Sequence, residues 1–390
     1  MNTNLLSPIS DRLVEVLKLS HFQTLGRKLK IHESDNFPNL EGVDIAIVGV
    51  LESRNSENCV ETSFNLTEIR NSLYRLFPGN WSSQIADLGD ILMGDRVEDT
   101  YFALSETVSN LLKKKIIPII IGGSQDLTYA QYRAYDKVKP MINIVNVDKS
   151  FDLGDSSKPI SNHSYIGRVI LEKPYNLFNY SALGYQTYFN AQEEIDLMEK
   201  LYFEYYRLGD LHCDIKAVEP VMRDADLVTV DLNSVRCSEV NIKQKYSPNG
   251  FDGQEICAAT RYAGISNRVS SFGIYEYNPS PDDEATTMLI AQMIWYFIEG
   301  FNCRVNDDNF ENLDEFNKYT VLVQGHELIY YKSLKTGRWW IQTPLTNNLN
   351  TKRRKYTLLA CTQSDYDISI KGQIPERLYK AYKKGLPDLV

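Results

Sequence analysis

The stretch NIVNVDKSFDLGD, residues 143–155, begins as an apolar, β-branched run typical of a buried strand and then delivers Asp148, Asp152 and Asp155. Within an extended segment, Asp148, Ser150 and Asp152 point to the same side. Like charges at such close range resist joint ionisation unless a cation or a basic side chain lies among them. The pattern indicates either a site at the end of a strand or, more simply, a strand cap followed by a polar turn.

Polar side chains also follow two other apolar runs. IIGGSQDLT places Gln125 between a predicted strand and a helix, and VTVDLNSVRCSE places Asp231 and Asn233 after a predicted strand. If the sheet is parallel, the carboxyl ends of these strands share one edge, where ligands of open α/β sheets bind. We therefore expect these groups to converge with Asp148 and Asp152.

The elements that would position them alternate along the chain. Apolar strands and helical segments follow one another from VDIAIVGV to DDEATTMLIAQMIWYFIEGF, and they include a strand predicted over 183–190 and a helix predicted over 191–209. Strands separated by helices of this length imply right-handed crossovers and a mostly parallel sheet that is covered on both faces. The sequence thus predicts an α/β fold with three layers, α/β/α.

Both ends of the chain differ from this pattern. Apolar spacing over 8–26 predicts an amphipathic helix with Ser10 or Asp11 as its cap, whereas alternation after residue 302 predicts a small antiparallel sheet, closed by a helix over 373–386. The predicted units are an N-terminal helical extension (1–42), an α/β domain (43–302) and a C-terminal β-rich extension (303–390).

Composition excludes several classes of protein. The 390 residues include 42 Lys and Arg against 51 Asp and Glu, and the net charge of −9 argues against nucleic-acid binding. The basic run TKRRK (351–355) is interpreted as a solvated turn between strands. No stretch approaches the roughly 18 apolar residues of a membrane helix. The six scattered cysteines, without a C-x-x-C pair, predict reduced thiols in a cytoplasmic protein.

The three strand ends resemble the signatures of the ureohydrolase family of arginases, agmatinases and formimidoylglutamases, which are G-G-D-H, D-A-H-x-D and S-x-D-x-D-x-x-D-P. The resemblance covers about residues 43–300, is strengthened by IADLGDI (85–91) and GIYEYNPSPDD (273–283), and is nearest to the bacterial formimidoylglutamase-like group. It implies an arginase-like fold and, in the family, a pair of manganese ions held by two histidines and four aspartates.

The departures from these signatures concern the metal ligands. Three aspartates match ligands of the family: Asp148, Asp152 and Asp231. Gln125 and Ser150 stand where the family has its histidines, Asn233 replaces an aspartate, and Lys149 and Arg236 replace an alanine and an acid. The resemblance implies that the three aspartates and the Gln125 amide oxygen could hold one hard cation such as Mg²⁺, Ca²⁺ or Mn²⁺. It also implies that the second metal position is degenerate.

Two hypotheses about function follow. A bridging hydroxide is the nucleophile of these hydrolases, and metal coordination lowers the pKa of its parent water. The first hypothesis is therefore a pseudoenzyme without a cofactor, which acts as a binding protein, scaffold or complex subunit with a protein partner, a second copy of itself or a small amidino or guanidino ligand. The alternative is an active hydrolase of linear amidines, such as formimidoylglutamate or a guanidino compound, with one divalent cation. A deacetylase-like activity is disfavoured, because the required histidine ligand is missing.

Two retained groups support the hydrolase alternative. His163 in ISNHSY lies near the place where arginases have a proton-shuttling histidine, and Glu255 in SPNGFDGQE matches a glutamate on the substrate side. These roles are implied by the resemblance. A loop histidine is also an ordinary surface residue, and a glutamate that opens a helix is favoured there by the helix dipole.

A buried basic side chain could replace the missing metal charge. Strand alternation points Lys149 away from Asp148, so Arg236 is the favoured candidate, although both could equally face solvent. The aromatic residues of the C-terminal extension have two interpretations, a protein interface or the core of the small sheet: Tyr330, Tyr331, Trp339 and Trp340.

Overall fold

The computed structural model describes residues 3–57, 64–155, 157–241, 247–278, 283–307, 313–344 and 356–385. Its centre is a nine-stranded sheet with the order β1-β3-β2-β4-β9-β8-β5-β6-β7, in which all neighbouring strands are parallel. The strands are β1 (Lys30–Ile31), β2 (Ile45–Val50), β3 (Ile85–Ile91), β4 (Ile117–Gly122), β5 (Ile142–Val147), β6 (Leu177–Tyr185), β7 (Glu204–Arg207), β8 (Leu227–Asp231) and β9 (Ser271–Tyr275).

Helices cover both faces of this sheet. Up to residue 302 they are α1 (Asp11–Leu19), α2 (Thr67–Arg75), α3 (Val97–Lys113), α4 (Leu127–Arg133), α5 (Tyr165–Leu171), α6 (Gln192–Lys200), α7 (Leu208–Cys213), α8 (Val218–Arg223), α9 (Gly253–Ile265) and α10 (Glu284–Asn302). None of the helices in the described ranges is long and apolar enough to cross a membrane.

The core consists of two apolar layers, one on each side of the sheet. One layer contains side chains of α1, α2 and α7 to α10, and the other contains side chains of α3 to α6. Strands β2, β4, β5, β8 and β9 are buried at every residue, which explains their continuous apolar sequences. The predicted parallel α/β/α fold is confirmed.

Two predicted elements differ from the structure. The helix predicted over 191–209 ends at Lys200, because Tyr202 adopts a φ of 52° and the backbone N of Phe203 donates to the carbonyl of Met198 at 2.9 Å. The following segment, Glu204–Arg207, then pairs with β6 as strand β7. The strand predicted over 183–190 is shifted, since β6 starts at Leu177 and ends at Tyr185. Pairing with neighbouring strands outweighs local helix propensity here.

The N-terminal segment adds to the sheet on the β3 side. The helix predicted over 8–26 is α1, but it is shorter than predicted and spans Asp11–Leu19; it follows Ser10, whose side chain forms no capping hydrogen bond. Strand β1 pairs with β3 in parallel register. Earlier in the chain, the backbones of Ser7 and Asp90 exchange two hydrogen bonds of 2.8 and 2.9 Å.

The C-terminal part of the chain forms a second, antiparallel sheet of four strands with the order β10-β11-β12-β13. Its elements are β10 (Phe316–Val323), β11 (His326–Ser333), β12 (Trp339–Pro344), β13 (Tyr356–Cys361), α11 (Gln363–Ile370) and α12 (Glu376–Gly385). Tyr330, Tyr331, Trp339 and Trp340 are buried in this unit. They form its core, so the interface interpretation of these aromatics does not hold. The run TKRRK lies outside the described residues.

Helix α12 fastens this second unit to strand β7 of the large sheet. Arg377 is buried, and its Nε and Nη2 lie 2.9 Å from Glu204 Oε2 and 2.5 Å from Asp224 Oδ2. One turn further along α12, Lys380 Nζ lies 4.4 Å from the ring centroid of Tyr205. The contact between the two units is therefore built largely from buried ionic and cation–π interactions.

Candidate functional site

The predicted convergence takes place at the carboxyl edge of four adjacent strands. In the order β4-β9-β8-β5, these strands lead into Gln125, Glu276, Asp231 and Asp148. All four side chains are buried. Glu276 was not among the residues predicted from the sequence. It could have been identified because its carboxylate directly follows a buried strand, as Asp148 does.

The turn after β5 brings Asp148 and Asp152 together. The backbone N of Ser150 donates to Asp148 Oδ1 at 3.1 Å, and Ser150 Oγ donates to Asp152 Oδ1 at 2.8 Å. Asp152 has a φ of 54°, which turns the chain at this point. His163 Nδ1 lies 3.2 Å from the same Asp152 oxygen, so the structure places this histidine beside the acids.

Asp148, Asp152, Asp231 and Glu276 are close enough to perturb one another, and we call these four side chains the acid cluster. Burial, followed by the charges of Asp152 and Asp231, raises the pKa of Asp148 well above its ordinary value. Burial and the charges of Glu276 and Asp152 raise the pKa of Asp231 to about 7. Burial opposes ionisation of Asp152 too, but bonds from His163, Asp148 and Ser150 leave its pKa lowered. Asp148 and Asp231 thus hold protons at a pH where isolated aspartates would be ionised.

Gln125 is anchored to the interior of the protein. Its Nε2 donates to Asn146 Oδ1 at 3.0 Å and to Tyr165 Oη at 3.2 Å, and its backbone N donates to Glu276 Oε1 at 2.9 Å. The side-chain nitrogen therefore points into the protein interior, where its hydrogen bonds hold the Gln125 side chain in place.

Asn233 closes the site on the β8 side. Its backbone N donates to Asp231 Oδ1 at 2.5 Å, and its Nδ2 lies 3.5 Å from Glu276 Oε2. Among the described residues, three buried oxygens of this region have no hydrogen-bond partner: Gln125 Oε1, Asp152 Oδ2 and Asn233 Oδ1. Buried acceptors without partners are costly, so the region favours a ligand that donates hydrogen bonds or carries positive charge.

Two residues highlighted by the sequence lie elsewhere. Glu255 forms a capping box at the start of α9, with hydrogen bonds of 2.8 and 3.0 Å to Asp252, and its Oε1 lies 2.6 Å from His212 Nδ1. Arg236 pairs through Nη2 with Asp252 Oδ2 at 2.6 Å rather than with the acid cluster. The backbone explains this difference from the prediction. The backbone N of Arg236 donates to the carbonyl of Phe251, which holds Arg236 beside the loop that precedes α9.

Lys149 is buried, with 7% of its surface exposed, so the interpretation that it faces solvent is wrong. Strand β5 ends at Val147, and strand alternation therefore does not extend to this residue. Its Nζ lies 4.9 Å from the ring centroid of Phe189. Although burial dominates the raised pKa of Asp231, the positive charge of Lys149 acts in the opposite direction on that pKa.

The donors differ from those that the resemblance implies for a pair of manganese ions. At the two positions where the resemblance places imidazoles, the Gln125 amide nitrogen donates to Asn146 and Tyr165, and the Ser150 hydroxyl donates to Asp152. These positions therefore offer neutral oxygens, such as the partnerless Gln125 Oε1, in place of imidazole nitrogens. Within the described ranges, no three His, Cys, Asp or Glu side chains are grouped so that they could hold a metal ion.

Comparison with known proteins identifies relatives of this chain. The formimidoylglutamase of Hahella chejuensis is 30% identical over 239 residues, which are 55% of this chain and 71% of that protein. The formimidoylglutamase of Macrococcus caseolyticus is 23% identical over 299 residues, which are 69% of this chain and 93% of that protein.

Solved structures share the fold. The formimidoylglutamase of Bacillus subtilis superposes with a TM-score of 0.60 at 20% identity, covering 67% of this chain and 88% of that one. The formiminoglutamase of Trypanosoma cruzi with Mn²⁺ gives 0.59 at 18% identity, covering 68% and 96%. The profile described as the arginase family matches residues 43–299. This chain therefore belongs to the arginase family.

Proposed function

We propose that this chain is a non-catalytic arginase-family protein that acts by binding. The observation that carries the proposal is that an amide and a hydroxyl, those of Gln125 and Ser150, stand at the two imidazole positions and are held by hydrogen bonds to Asn146, Tyr165 and Asp152. Hydrolysis in this family depends on a metal-bound hydroxide, because metal coordination lowers the pKa of water. Without both imidazole ligands, that nucleophile is lost.

The proposed ligand is a small amidino or guanidino compound. Such a cation is planar and presents several N–H donors, which suits neighbouring carboxylates. Asp231 and Glu276 supply buried carboxylates, and the partnerless oxygens of Gln125 and Asn233 supply further acceptors. The competing occupant is one hard divalent cation on Asp148, Asp152 and Asp231, which would have to draw these side chains together, since the described ranges contain no such group in place. Experiment separates the two occupants.

Purified full-length protein should contain fewer than two equivalents of manganese after incubation with Mn²⁺ and desalting. It should also release neither urea nor formamide from guanidino or formimidoyl compounds, because the second metal position lacks its ligands. Metal analysis and a product assay check this expectation. Two equivalents of manganese together with turnover would overturn the proposal in favour of the hydrolase.

Ligand binding is tested on the same protein with the guanidinium and acetamidinium ions as probes. We expect both ions to raise the melting temperature of the wild type more than sodium at equal ionic strength, and Asp231→Asn to abolish that difference. Asp155→Asn is the matched control, since Asp155 is exposed and, among the described residues, its side chain bonds to Ser157 of its own turn. An equal response of all three proteins would contradict binding at the acid cluster.

We further propose that the protein associates with a second copy of itself. An exposed groove of about 330 Å³ is lined by Leu76, Phe77, Gln292, Trp295 and Tyr296. Aromatic side chains are enriched in protein interfaces. Since the chain carries a net charge of −9, two copies approach most easily at a surface without charged groups, and this lining has none.

Light scattering should give the mass of a dimer instead of the 44.8 kDa of one chain. The variant Tyr296→Glu should return the protein to a monomer, because it places like charges in the centre of the contact. Tyr379→Glu, at an exposed aromatic of α12, is the control and should leave the dimer intact. A wild-type monomer at all concentrations tested would rule the contact out.

A further inference from the structure

We propose that Asn146 is a positioning residue of the site at the acid cluster, because it holds the Gln125 amide with its oxygen toward the ligand. The inference rests on the proposed function and deepens it. It gives a structural reason why this site accepts hydrogen bonds from a ligand, and it assigns that property to a residue that need not touch the ligand itself.

Asn146 is a polar residue between two valines of strand β5. Its side chain is fully buried, and its register partner on β8 is Thr229. A buried amide is costly unless its polar atoms are hydrogen-bonded. Asn146 meets this condition completely, because its oxygen accepts two hydrogen bonds and its nitrogen donates two, which is the full capacity of an amide side chain.

The four hydrogen bonds give the Asn146 amide a defined direction. Its Nδ2 donates to Asp148 Oδ2 at 3.3 Å and to Tyr165 Oη at 2.8 Å. An aspartate side chain keeps acceptor capacity whether it is ionised or protonated, so the amide nitrogen is favoured on this side. Asn146 Oδ1 therefore lies on the opposite side, where it accepts from Thr229 Oγ1 at 2.9 Å and from Gln125 Nε2 at 3.0 Å.

The direction of the Asn146 amide determines that of Gln125. A second amide that meets the Asn146 oxygen must present its nitrogen, because two carbonyl oxygens form no hydrogen bond with each other. The same Gln125 nitrogen also donates to Tyr165 Oη at 3.2 Å. Gln125 Oε1 is consequently at the other end of the amide, where it is buried and, among the described residues, has no hydrogen-bond partner. Such an acceptor favours a ligand with N–H donors.

Two variants separate this role from general support of the strands. Asn146→Leu removes the partner of Gln125, whereas Thr229→Val removes the other donor to Asn146 and leaves Gln125 bonded. Acetamidinium affinity is obtained from the rise in melting temperature with concentration. We expect the dissociation constant to rise about tenfold in Asn146→Leu, because the Gln125 amide is free to turn, and to stay within about twofold in Thr229→Val.

A measurement on the wild type does not depend on the folding of either variant. Hydrogen exchange of the Gln125 side-chain amide is followed by NMR, with its signal assigned by its absence in Gln125→Leu. We expect these protons to exchange more slowly than those of the exposed Gln373, both with and without acetamidinium. Exchange that is slowed only when acetamidinium is added would show that the Gln125 nitrogen faces the ligand, which would overturn the inference.

The inference and the proposed function fail in different ways. Equal acetamidinium affinity of the wild type and Asn146→Leu overturns the role of Asn146 and leaves ligand binding in place. An equal loss in Asn146→Leu and Thr229→Val also overturns it, since the effect then comes from the disturbed strand pair. A wild type that does not respond to acetamidinium overturns the proposed ligand, and this inference with it.

Discussion

Replacing Arg377 by methionine is expected to lower the free energy of unfolding by about 3–5 kcal/mol, because removal of one partner leaves buried charges uncompensated. Arg377 lies 2.9 Å from Glu204 and 2.5 Å from Asp224, and it also donates to the carbonyl of Ala360. Methionine retains most of the apolar stem of the arginine. The loss in free energy of unfolding therefore measures the contribution of the ion pairs. Urea unfolding followed by circular dichroism measures the effect.

The same contact gives a dependence on pH. Burial would raise the pKa of Glu204, but the charges of Arg377 and Lys384 outweigh burial and lower that pKa below the ordinary 4.5. A carboxyl whose pKa is depressed in the folded state contributes stability above its unfolded pKa and loses it as the pH falls through the folded value. The difference between wild type and Arg377→Met should therefore be full at neutral pH and shrink below about pH 4.5.

The control for this pair of experiments is Lys371→Met, at an exposed lysine that follows α11. It should remain within about 0.5 kcal/mol of the wild type, as surface substitutions usually do. A similarly small effect of Arg377→Met would show that α12 is held by its other contacts, and a pH-independent difference would show that Glu204 does not take part.

Arg70→Met is expected to cost a similar amount, about 3–5 kcal/mol, because two carboxylates lose a buried cation. Arg70 Nε lies 2.9 Å from Asp87 Oδ2, and its Nη2 lies 2.8 Å from Asp90 Oδ1 and 3.1 Å from the carbonyl of Gly89. Tyr74 Oη also donates to Asp87 at 2.7 Å. Thermal unfolding of the variant measures the loss.

A double-mutant cycle separates the ion pair from packing. If the pair with Asp87 dominates, Arg70→Met combined with Asp87→Asn should be less destabilised than the sum of the single variants. Additive effects would assign the loss to side-chain packing. Non-additive effects would instead show that the acids of IADLGDI, the segment that contributed to the family resemblance, support β3 through this pair.

Local sequence patterns predicted the parallel sheet and three of the four acids of the acid cluster. Continuous apolar runs and the helices between them determine a buried parallel sheet, and Asp148 and Asp231 stand directly at the ends of such runs. Glu276 was harder to identify, because its proximity to Asp231 follows from β9 lying beside β8, which is a matter of strand order.

Other features depend on long-range contacts that no local pattern encodes. Strand β7 follows a stretch with helical spacing. It forms a strand because its backbone pairs with the edge of β6. The pairing of Arg377 with Glu204 joins residues far apart in sequence. The environments of Glu255 and Arg236 are likewise set by Asp252, whose position depends on the loop that precedes α9.

The segments on either side of the family match have a further consequence for the sheet. Strand β1 and the Ser7–Asp90 bridge lie along β3, and side chains of α12 contact β7. A fragment limited to residues 43–299 would expose the outer edge of β3, with backbone groups free to recruit strands from other molecules. We therefore expect such a fragment to aggregate more readily than the whole chain.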